Sequence, residues 1–90
     1  MSDPTYSWQV YIVRCADETL YTGIARDVHK RIHEHNHGRL AARYTRSRRP
    51  VVLVYTESCD SRSQALQREM AIKKLSRQDK EQLCRQAVAQ

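Results

Sequence analysis

Glycine and proline are scarce in this sequence, with two residues of each among 90. The chain contains no internal repeat, no low-complexity segment and no Pro/Gly-rich linker. These absences argue against several linked modules, and the length fits one compact domain. We therefore expect a single domain over residues 1–90, which would handle any large substrate on its outer surface.

Long apolar runs and paired cysteines are also missing. No run approaches the ~20 apolar residues that a bilayer-spanning helix needs, and the N-terminus lacks a signal-peptide apolar region. Cys15, Cys59 and Cys84 are widely spaced and form no CxxC pair, which favours reduced, mostly buried thiols over a disulfide framework or a zinc cluster. We therefore expect a cytoplasmic protein with no membrane partner, and a monomer by default.

Acidic residues are outnumbered by basic ones. The chain contains ten Asp and Glu residues and sixteen Lys and Arg residues, which gives a formal net charge of +6 and an isoelectric point near 9.6. Such an excess favours nucleic acid as a partner, or less often an anionic membrane surface. A basic protein that is merely soluble is the alternative.

Apolar periodicity and turn residues predict three strands and three helices. Asp27, Ser61 and Ser76 are suited to begin the helices, and Gly38 is suited to end the first one. The first strand is apolar on both faces and is expected to be central, paired with the second in an antiparallel hairpin. The order β-β-α-β-α-α predicts a small α+β domain, a three-stranded antiparallel sheet flanked by helices. The strands are predicted at residues 8–14, 20–24 and 51–55, and the helices at residues 28–37, 61–75 and from 76 onward.

Two tyrosines and a glycine mark one face of the predicted hairpin. Strand alternation allows Tyr11 and Tyr21 to point to the same side, with Gly23 beside them. A glycine there removes a side chain, which would leave room for a ligand or another backbone. The alternative is a pair of ordinary strand aromatics next to a β-bulge.

Arg31 and His35 are spaced i, i+4 on the first helix and border its apolar face. Facing the two phenols, they would form a phosphate-sized polar pocket, although a solvated charged helix is the alternative. Glu69 falls near the centre of the apolar face of the second helix. A lone carboxylate there requires a partner, and a Mg²⁺ site and a salt bridge to Arg31 are both possible. That apolar face is predicted to consist of Ala65, Leu66, Met70 and Ile72.

The remaining polar clusters are histidines and arginines. Four histidines lie in the first helix. His29 and His33 are spaced i, i+4, which suits one helix face, but His35 faces elsewhere and no third ligand is evident, so zinc is not predicted. Residues 39–49 contain five arginines and Tyr44. Arginine binds phosphate bidentately and tyrosine stacks on bases, so this connection is a candidate nucleic-acid surface. A second basic cluster follows at residues 73–80.

Several of these motifs together resemble the GIY-YIG nuclease superfamily. The motifs are VYI at 10–12, YTG at 21–23, Arg31-x3-His35 and the distal Glu69. The segments ARYTRSRRPVVLVY and SRSQALQREMAIKKLSR are similar to the small stand-alone YhbQ-like bacterial group. Val10 and Thr22 depart from the family motifs, and no asparagine follows Asn36, whereas many family nucleases carry a late one.

The resemblance implies a core over about residues 8–83 and a phosphodiesterase that uses Mg²⁺ or Mn²⁺. Glu69 would bind the metal and Arg31 would stabilise transition-state charge. Tyr11 is the preferred general base, with Tyr21 orienting water or phosphate, although the two tyrosines could exchange roles. His35 would assist proton transfer. Nucleic-acid-binding residues are expected to be Gly23, Lys30, Arg39, Arg43, Tyr44, Arg46, Arg48, Arg49 and Lys73.

The resulting expectation is a metal-dependent nuclease of low sequence specificity, acting on DNA more readily than on RNA, in repair or processing. The missing late asparagine motivates the main alternative, a catalytically weak or inactive nucleic-acid-binding module on the same scaffold. That module would bind in a salt-sensitive way through residues 39–49 and would show no turnover. A protein-interaction module is the third possibility, and it would neither bind nor cleave nucleic acid.

Overall fold

A computed structural model describes residues 7–38 and 42–89. The strands are β1 (Trp8–Arg14), β2 (Leu20–Ala25) and β3 (Val52–Cys59), and the helices are α1 (Val28–His37), α2 (Arg43–Arg46), α3 (Arg62–Lys73) and α4 (Arg77–Ala89). The predicted α+β class and element order are confirmed. Two differences are the short helix α2 inside the basic connection and the extension of β3 beyond residue 55. None of the helices in the described ranges has the length and apolar character needed to cross a membrane.

The sheet is antiparallel and has the order β2-β1-β3, so β1 is central as predicted. Alternation along β1 divides the core into two layers. Val10 and Ile12 pack with Ala65 and Ile72 of α3 on one face. Tyr11 and Val13 pack on the other face, toward α1. Because both faces are covered, the middle of β1 is fully buried, and Tyr11 is fixed within the core.

Short-range hydrogen bonds define where the helices begin. The Asp27 carboxylate accepts from the Lys30 backbone N–H at 3.0 Å, which starts α1. Ser61 and Ser76 play the same part for α3 and α4, each accepting at 3.1 Å from a backbone N–H three residues later. The Asp27 cap fixes the start of α1, whose inner face carries the buried side chain of His35.

One core prediction for α3 is wrong. Ala65 and Ile72 are buried, but the Met70 side chain is 58% exposed. Residues 65 and 72 lie two helical turns apart on one face, and Met70 lies outside that face because each residue rotates the helix by about 100°. Glu69, between the two buried residues in sequence, keeps only 16% of its side chain exposed.

The three cysteines are reduced, and Cys15 and Cys84 are buried in the two core layers.

The Asn36 side chain ties the end of α1 to the start of β3. Its amide donates to the Val51 carbonyl at 3.0 Å, and its oxygen accepts from the Val51 N–H at 2.7 Å. This clamp holds α1 over the sheet.

Candidate active site

The two tyrosines of the hairpin lie on the same side of the sheet and meet one histidine. The rings of Tyr11 and Tyr21 both approach the imidazole of His35 edge-on, with centroid distances of 5.9 and 5.5 Å. β1, β2 and α1 each contribute one of these rings. The fold therefore brings together three of the five predicted catalytic side chains in direct contact.

Gly23 lies directly opposite Tyr11 in the strand register, and it makes room for the Tyr11 phenol. A Cβ atom at this position would lie 2.6 Å from Oη and 2.7 Å from Cζ of Tyr11. The prediction that Gly23 leaves space for a ligand is wrong, because the glycine is buried and a protein ring fills that space. Its assignment as a nucleic-acid-binding residue is corrected accordingly.

A buried chain of hydrogen bonds runs from Tyr11 through His35 to Thr45. The Tyr11 hydroxyl lies 2.8 Å from His35 Nε2, and Thr45 Oγ1 lies 2.7 Å from His35 Nδ1. Thr45 donates its one hydroxyl proton to the Ala42 carbonyl at 3.0 Å. Its oxygen must therefore accept from Nδ1–H, which leaves the lone pair of neutral His35 on Nε2. Tyr11 consequently donates its proton to His35.

The pKa values of this pair keep the proton on Tyr11 in the resting protein. Burial lowers the pKa of His35 to about 4, with further lowering by the positive charges of Arg31 and Arg49. Burial also raises the pKa of Tyr11 to about 12; Tyr21 adds to this rise, and a hydrogen bond from Arg31 opposes it. The pair is therefore a neutral imidazole that accepts from a neutral phenol.

Arg31 lies beside Tyr11 and at the edge of the buried chain. Its Nη1 is 3.5 Å from the Glu34 carboxylate, and a quarter of its side chain is exposed (25%). The guanidinium thus contacts the buried phenol and also faces solvent, where a phosphate can reach it.

Glu69, the fifth predicted catalytic residue, affects the site through its charge. Its negative charge is among the causes that raise the pKa of Tyr11, so the carboxylate acts on the same site. Its ion pair is with Lys73, at 3.4 Å and one turn further along α3. This lysine partner explains how a largely buried carboxylate is tolerated.

The residues present suit a Mg²⁺-type ion held by few protein ligands. Residues 7–38 and 42–89 contain no group of three or more His, Cys, Asp or Glu side chains that is placed to hold a metal ion. His33 and His37 pair their rings at 4.6 Å on the exposed side of α1. Glu69 offers one carboxylate, and Mg²⁺ typically binds one or two carboxylates together with waters and substrate phosphate oxygens. Glu69 is therefore the one carboxylate of the predicted site that could bind such an ion, with waters and phosphate oxygens as the other ligands.

The Tyr44 ring, predicted to stack on a base, contacts other side chains of the protein. It stacks on Tyr21 with centroids 5.8 Å and planes 23° apart. The Arg48 guanidinium lies 3.9 Å from its centroid. Arg48 also donates to the Asp17 carboxylate at 3.0 Å and to the Tyr44 carbonyl at 2.8 Å. These contacts favour a role for Tyr44 and Arg48 in fastening α2 to the site.

The other predicted nucleic-acid contacts fall into three groups. Arg49 donates to the Gly38 carbonyl at 2.7 Å and lies near enough to lower the pKa of His35. Arg39 lies outside the described residues. The remaining side chains are at the surface, where they can meet a phosphate backbone; they are Lys30, Arg43, Arg46 and Lys73.

Thr45 is the site residue that sequence patterns do not reveal. It is fully buried, yet it lies in a basic connection that reads as solvated loop. Its contact with His35 spans ten residues, which no helical or strand periodicity links.

Comparison with known proteins gives consistent matches. Residues 7–82 match the GIY-YIG catalytic domain. A UPF0213 protein of Desulfotalea psychrophila is 63% identical over 70 residues, covering 78% of this chain and 64% of that relative. Another, from Syntrophus aciditrophicus, is 54% identical over 77 residues, covering 86% of this chain and 88% of the relative.

Two solution NMR structures resemble the chain. A UPF0213 protein of Bacillus halodurans is 44% identical with a TM-score of 0.54, covering 86% of this chain and 81% of that one. A protein from E. faecalis is 36% identical with a TM-score of 0.61, covering 93% and 88%.

Proposed function

The chain belongs to the GIY-YIG family, and on this premise we propose that it is a divalent-metal-dependent nuclease that hydrolyses phosphodiester bonds in nucleic acid. The observation that carries the proposal is the buried hydrogen bond from Tyr11 to the lone pair of neutral His35, beside the partly exposed guanidinium of Arg31. The proposed substrate is DNA cleaved with low sequence specificity, in repair or processing in the cytoplasm.

The proposed chemistry begins with proton transfer between two side chains. Tyr11 passes its phenolic proton to His35 Nε2, and the phenolate takes a proton from the attacking water. The new P–O bond forms as the bond to the leaving oxygen breaks. Solvent water protonates the leaving oxygen, and the hydroxide that this produces takes the proton from His35, which restores the neutral pair. Because the pKa is about 12 for Tyr11 and about 4 for His35, the transfer requires cations beside the phenolate. The Arg31 guanidinium already lowers the pKa of Tyr11, and a divalent ion on Glu69 would lower it further.

The other site residues stabilise charge, orient the reactants or hold the metal. Arg31 donates to the phosphate oxygens and stabilises the charge that builds up on them in the transition state. Tyr21 orients the water or the phosphate. Glu69 would hold Mg²⁺ or Mn²⁺, which supplies Lewis-acid polarisation of the phosphate when it is bound.

A binding module without turnover is the second candidate, and one observation favours it. The chain has no asparagine after Asn36, and the Asn36 amide forms hydrogen bonds with both the N–H and the carbonyl of Val51. It therefore offers no replacement for the late asparagine that many family nucleases carry. This candidate binds nucleic acid in a salt-dependent way with any metal and cleaves nothing.

A cleavage panel tests the proposed function. Single-stranded, duplex and flap DNA, with matched RNA strands, are incubated with Mg²⁺, Mn²⁺ or a chelator. We expect metal-dependent cleavage that falls at least about tenfold in Glu69→Gln and in Arg31→Ala, since each removes charge stabilisation from the transition state. His33→Ala, an exposed change on the outer side of α1, is the matched control and should cleave like the parent.

The outcomes separate the candidates. Cleavage that persists in both site variants would come from a contaminant and would contradict the proposal. Salt-sensitive binding without turnover under every metal would establish the binding module instead. Faster cleavage of the RNA strands would correct the proposed substrate.

A further inference from the structure

An open cleft adjoins the candidate active site at the end of β2. Its volume is about 370 Å³, near the lower end of the range for small-ligand pockets. Trp8 and the last residues of β2 form its apolar wall. Arg31 lines it as well, and the same arginine contacts Tyr11. The cleft and the site therefore share one cation.

Trp8 is the aromatic element of this cleft. The side chain is half-buried and packs on the core layer of Val10 and Ile12, so its position is fixed. The guanidinium carbons of Arg26 and Arg62 lie 5.6 and 5.8 Å from the ring centroid. Both guanidinium groups lie over the ring and belong to exposed side chains. An unpaired base that stacks on the indole would take the place of one of them, and the cations would then attract the backbone.

Positive charge predominates around the cleft. Arg26, Lys30 and Arg31 line it, and Arg62 adjoins it through Trp8. The two carboxylates in its wall are engaged, since Asp27 caps α1 and Glu34 pairs with Arg31. An anionic ligand with a flat apolar part matches this lining.

We propose that this cleft is a subsite for one unpaired nucleotide of the substrate, with the base on Trp8 and the adjacent phosphate on Arg26 and Lys30. A strand that occupies it continues past Arg31 to the buried tyrosine. The proposal deepens the proposed function by naming the substrate class, which is single-stranded or flap-containing nucleic acid. A duplex keeps its bases stacked on each other and cannot deliver one to Trp8.

The intrinsic fluorescence of the protein tests the subsite, because Trp8 is its one tryptophan. The chain is titrated in chelator, without turnover, with a single-stranded oligonucleotide, a blunt-ended duplex of two strands and an abasic strand of equal charge. We expect the single strand to quench the indole, and the duplex and abasic strand to have much weaker effects. Equal quenching by all three would overturn the proposal, since charge alone would then explain binding.

Variants provide an independent measurement by fluorescence anisotropy of labelled strands. Trp8→Leu, which keeps the core contact apolar, should weaken single-strand binding about 5- to 100-fold and leave duplex binding unchanged. Arg26→Gln should lower the salt dependence of single-strand binding by about 0.7 in slope. Arg85→Gln on α4, which packs on the opposite edge strand β3, should change neither.

Failure of the subsite and failure of the proposed function give different results. Unchanged single-strand affinity in Trp8→Leu, together with metal-dependent cleavage by the parent, overturns the subsite alone. Quenching without cleavage under any metal overturns the nuclease function alone. Should Trp8→Leu fail to fold by circular dichroism, the surface variants Arg26→Gln and Arg62→Gln decide the question.

A second inference rests on different contacts, those of the buried hydrogen-bond chain. We infer that Thr45 is a positioning residue, which fixes His35 in the tautomer that can receive the Tyr11 proton. The Thr45 hydroxyl donates its proton to the Ala42 carbonyl. Toward His35 it can therefore act only as an acceptor, from Nδ1–H of the neutral ring. In the other tautomer, Nε2 would carry the proton and would donate to Tyr11.

The tautomer is measured directly by ¹⁵N NMR, with His35 assigned by comparison with His35→Gln. We expect a protonated Nδ1 and an unprotonated Nε2 in the parent chain. Thr45→Val should shift the population toward the other tautomer and lower cleavage about 10- to 100-fold, the loss seen when a residue that orients a metal-binding histidine is removed. Thr45→Ser should restore both. A protonated Nε2 in the parent, or full cleavage in Thr45→Val, would overturn the inference.

Discussion

Replacement of Tyr11 by phenylalanine is expected to lower the cleavage rate about 1,000-fold while the protein stays folded. The variant loses the group that exchanges protons with His35 and with the attacking water, and general-base removal costs about 10²- to 10⁴-fold. The ring still fills the core and covers Gly23. The buried Nε2 of His35 loses its donor at 2.8 Å, so unfolding free energy should fall by about 1 to 2 kcal/mol. Single-turnover cleavage and urea unfolding measure the two effects.

Tyr55→Phe is the matched control for this change. Tyr55 donates to the Glu57 carboxylate at 2.8 Å in a half-buried position on β3, so the control also removes one phenolic hydrogen bond. Its cleavage rate should stay within about twofold of the parent, because β3 contributes no ring to the site. If Tyr11→Phe keeps a tenth of the activity and Tyr21→Phe abolishes it, the two tyrosines have exchanged roles.

The features that the sequence predicts well are those that depend on near neighbours. Asp27, Ser61 and Ser76 each bond a backbone N–H three residues later, so three-residue motifs are sufficient to find the helix starts. Apolar residues on both faces of β1 predict that it is central, because a strand buried on both faces has no polar side. The shared side of Tyr11 and Tyr21 follows from the same alternation.

The features that the sequence does not predict depend on tertiary contacts. Thr45 is buried only because α2 folds against His35, and a threonine among arginines carries no such signal. Tyr44 reads as a base-stacking residue until the fold places Tyr21 and Arg48 against its ring. Met70 satisfies an apolar helical pattern, but the neighbours of α3 select a different face of the helix. His35 and Tyr21 are distant in sequence from the residues that they contact here.

The β2 glycine shows how a correct motif can have an incorrect physical reason. Sequence reasoning assigns Gly23 the task of clearing space, and space is indeed what it provides, but the occupant is Tyr11. Its φ is not positive, so backbone freedom is not the requirement. The glycine is therefore a packing partner of Tyr11, and the two positions should be energetically coupled.

Substitution of Gly23 by alanine is accordingly expected to reduce cleavage about 100-fold and to destabilise the fold by about 2 kcal/mol. The new methyl group would meet the Tyr11 ring at 2.6 to 3.1 Å, and overpacking of a buried site costs about 1 to 3 kcal/mol. The displaced phenol would lose its alignment with His35, and shifts of about 1 Å in a reacting group cost about 10²-fold. Urea unfolding and single-turnover cleavage measure both losses.

A double-mutant cycle separates this mechanism from a general weakness of β2. In a Tyr11→Leu background the ring is absent, so the same Gly23→Ala change should be neutral or slightly stabilising, because alanine reduces the entropy of the unfolded chain. The coupling energy is then about 2 kcal/mol. An equal loss of stability in both backgrounds would contradict the contact with Tyr11, and full activity of Gly23→Ala would show that the phenol need not lie over the glycine.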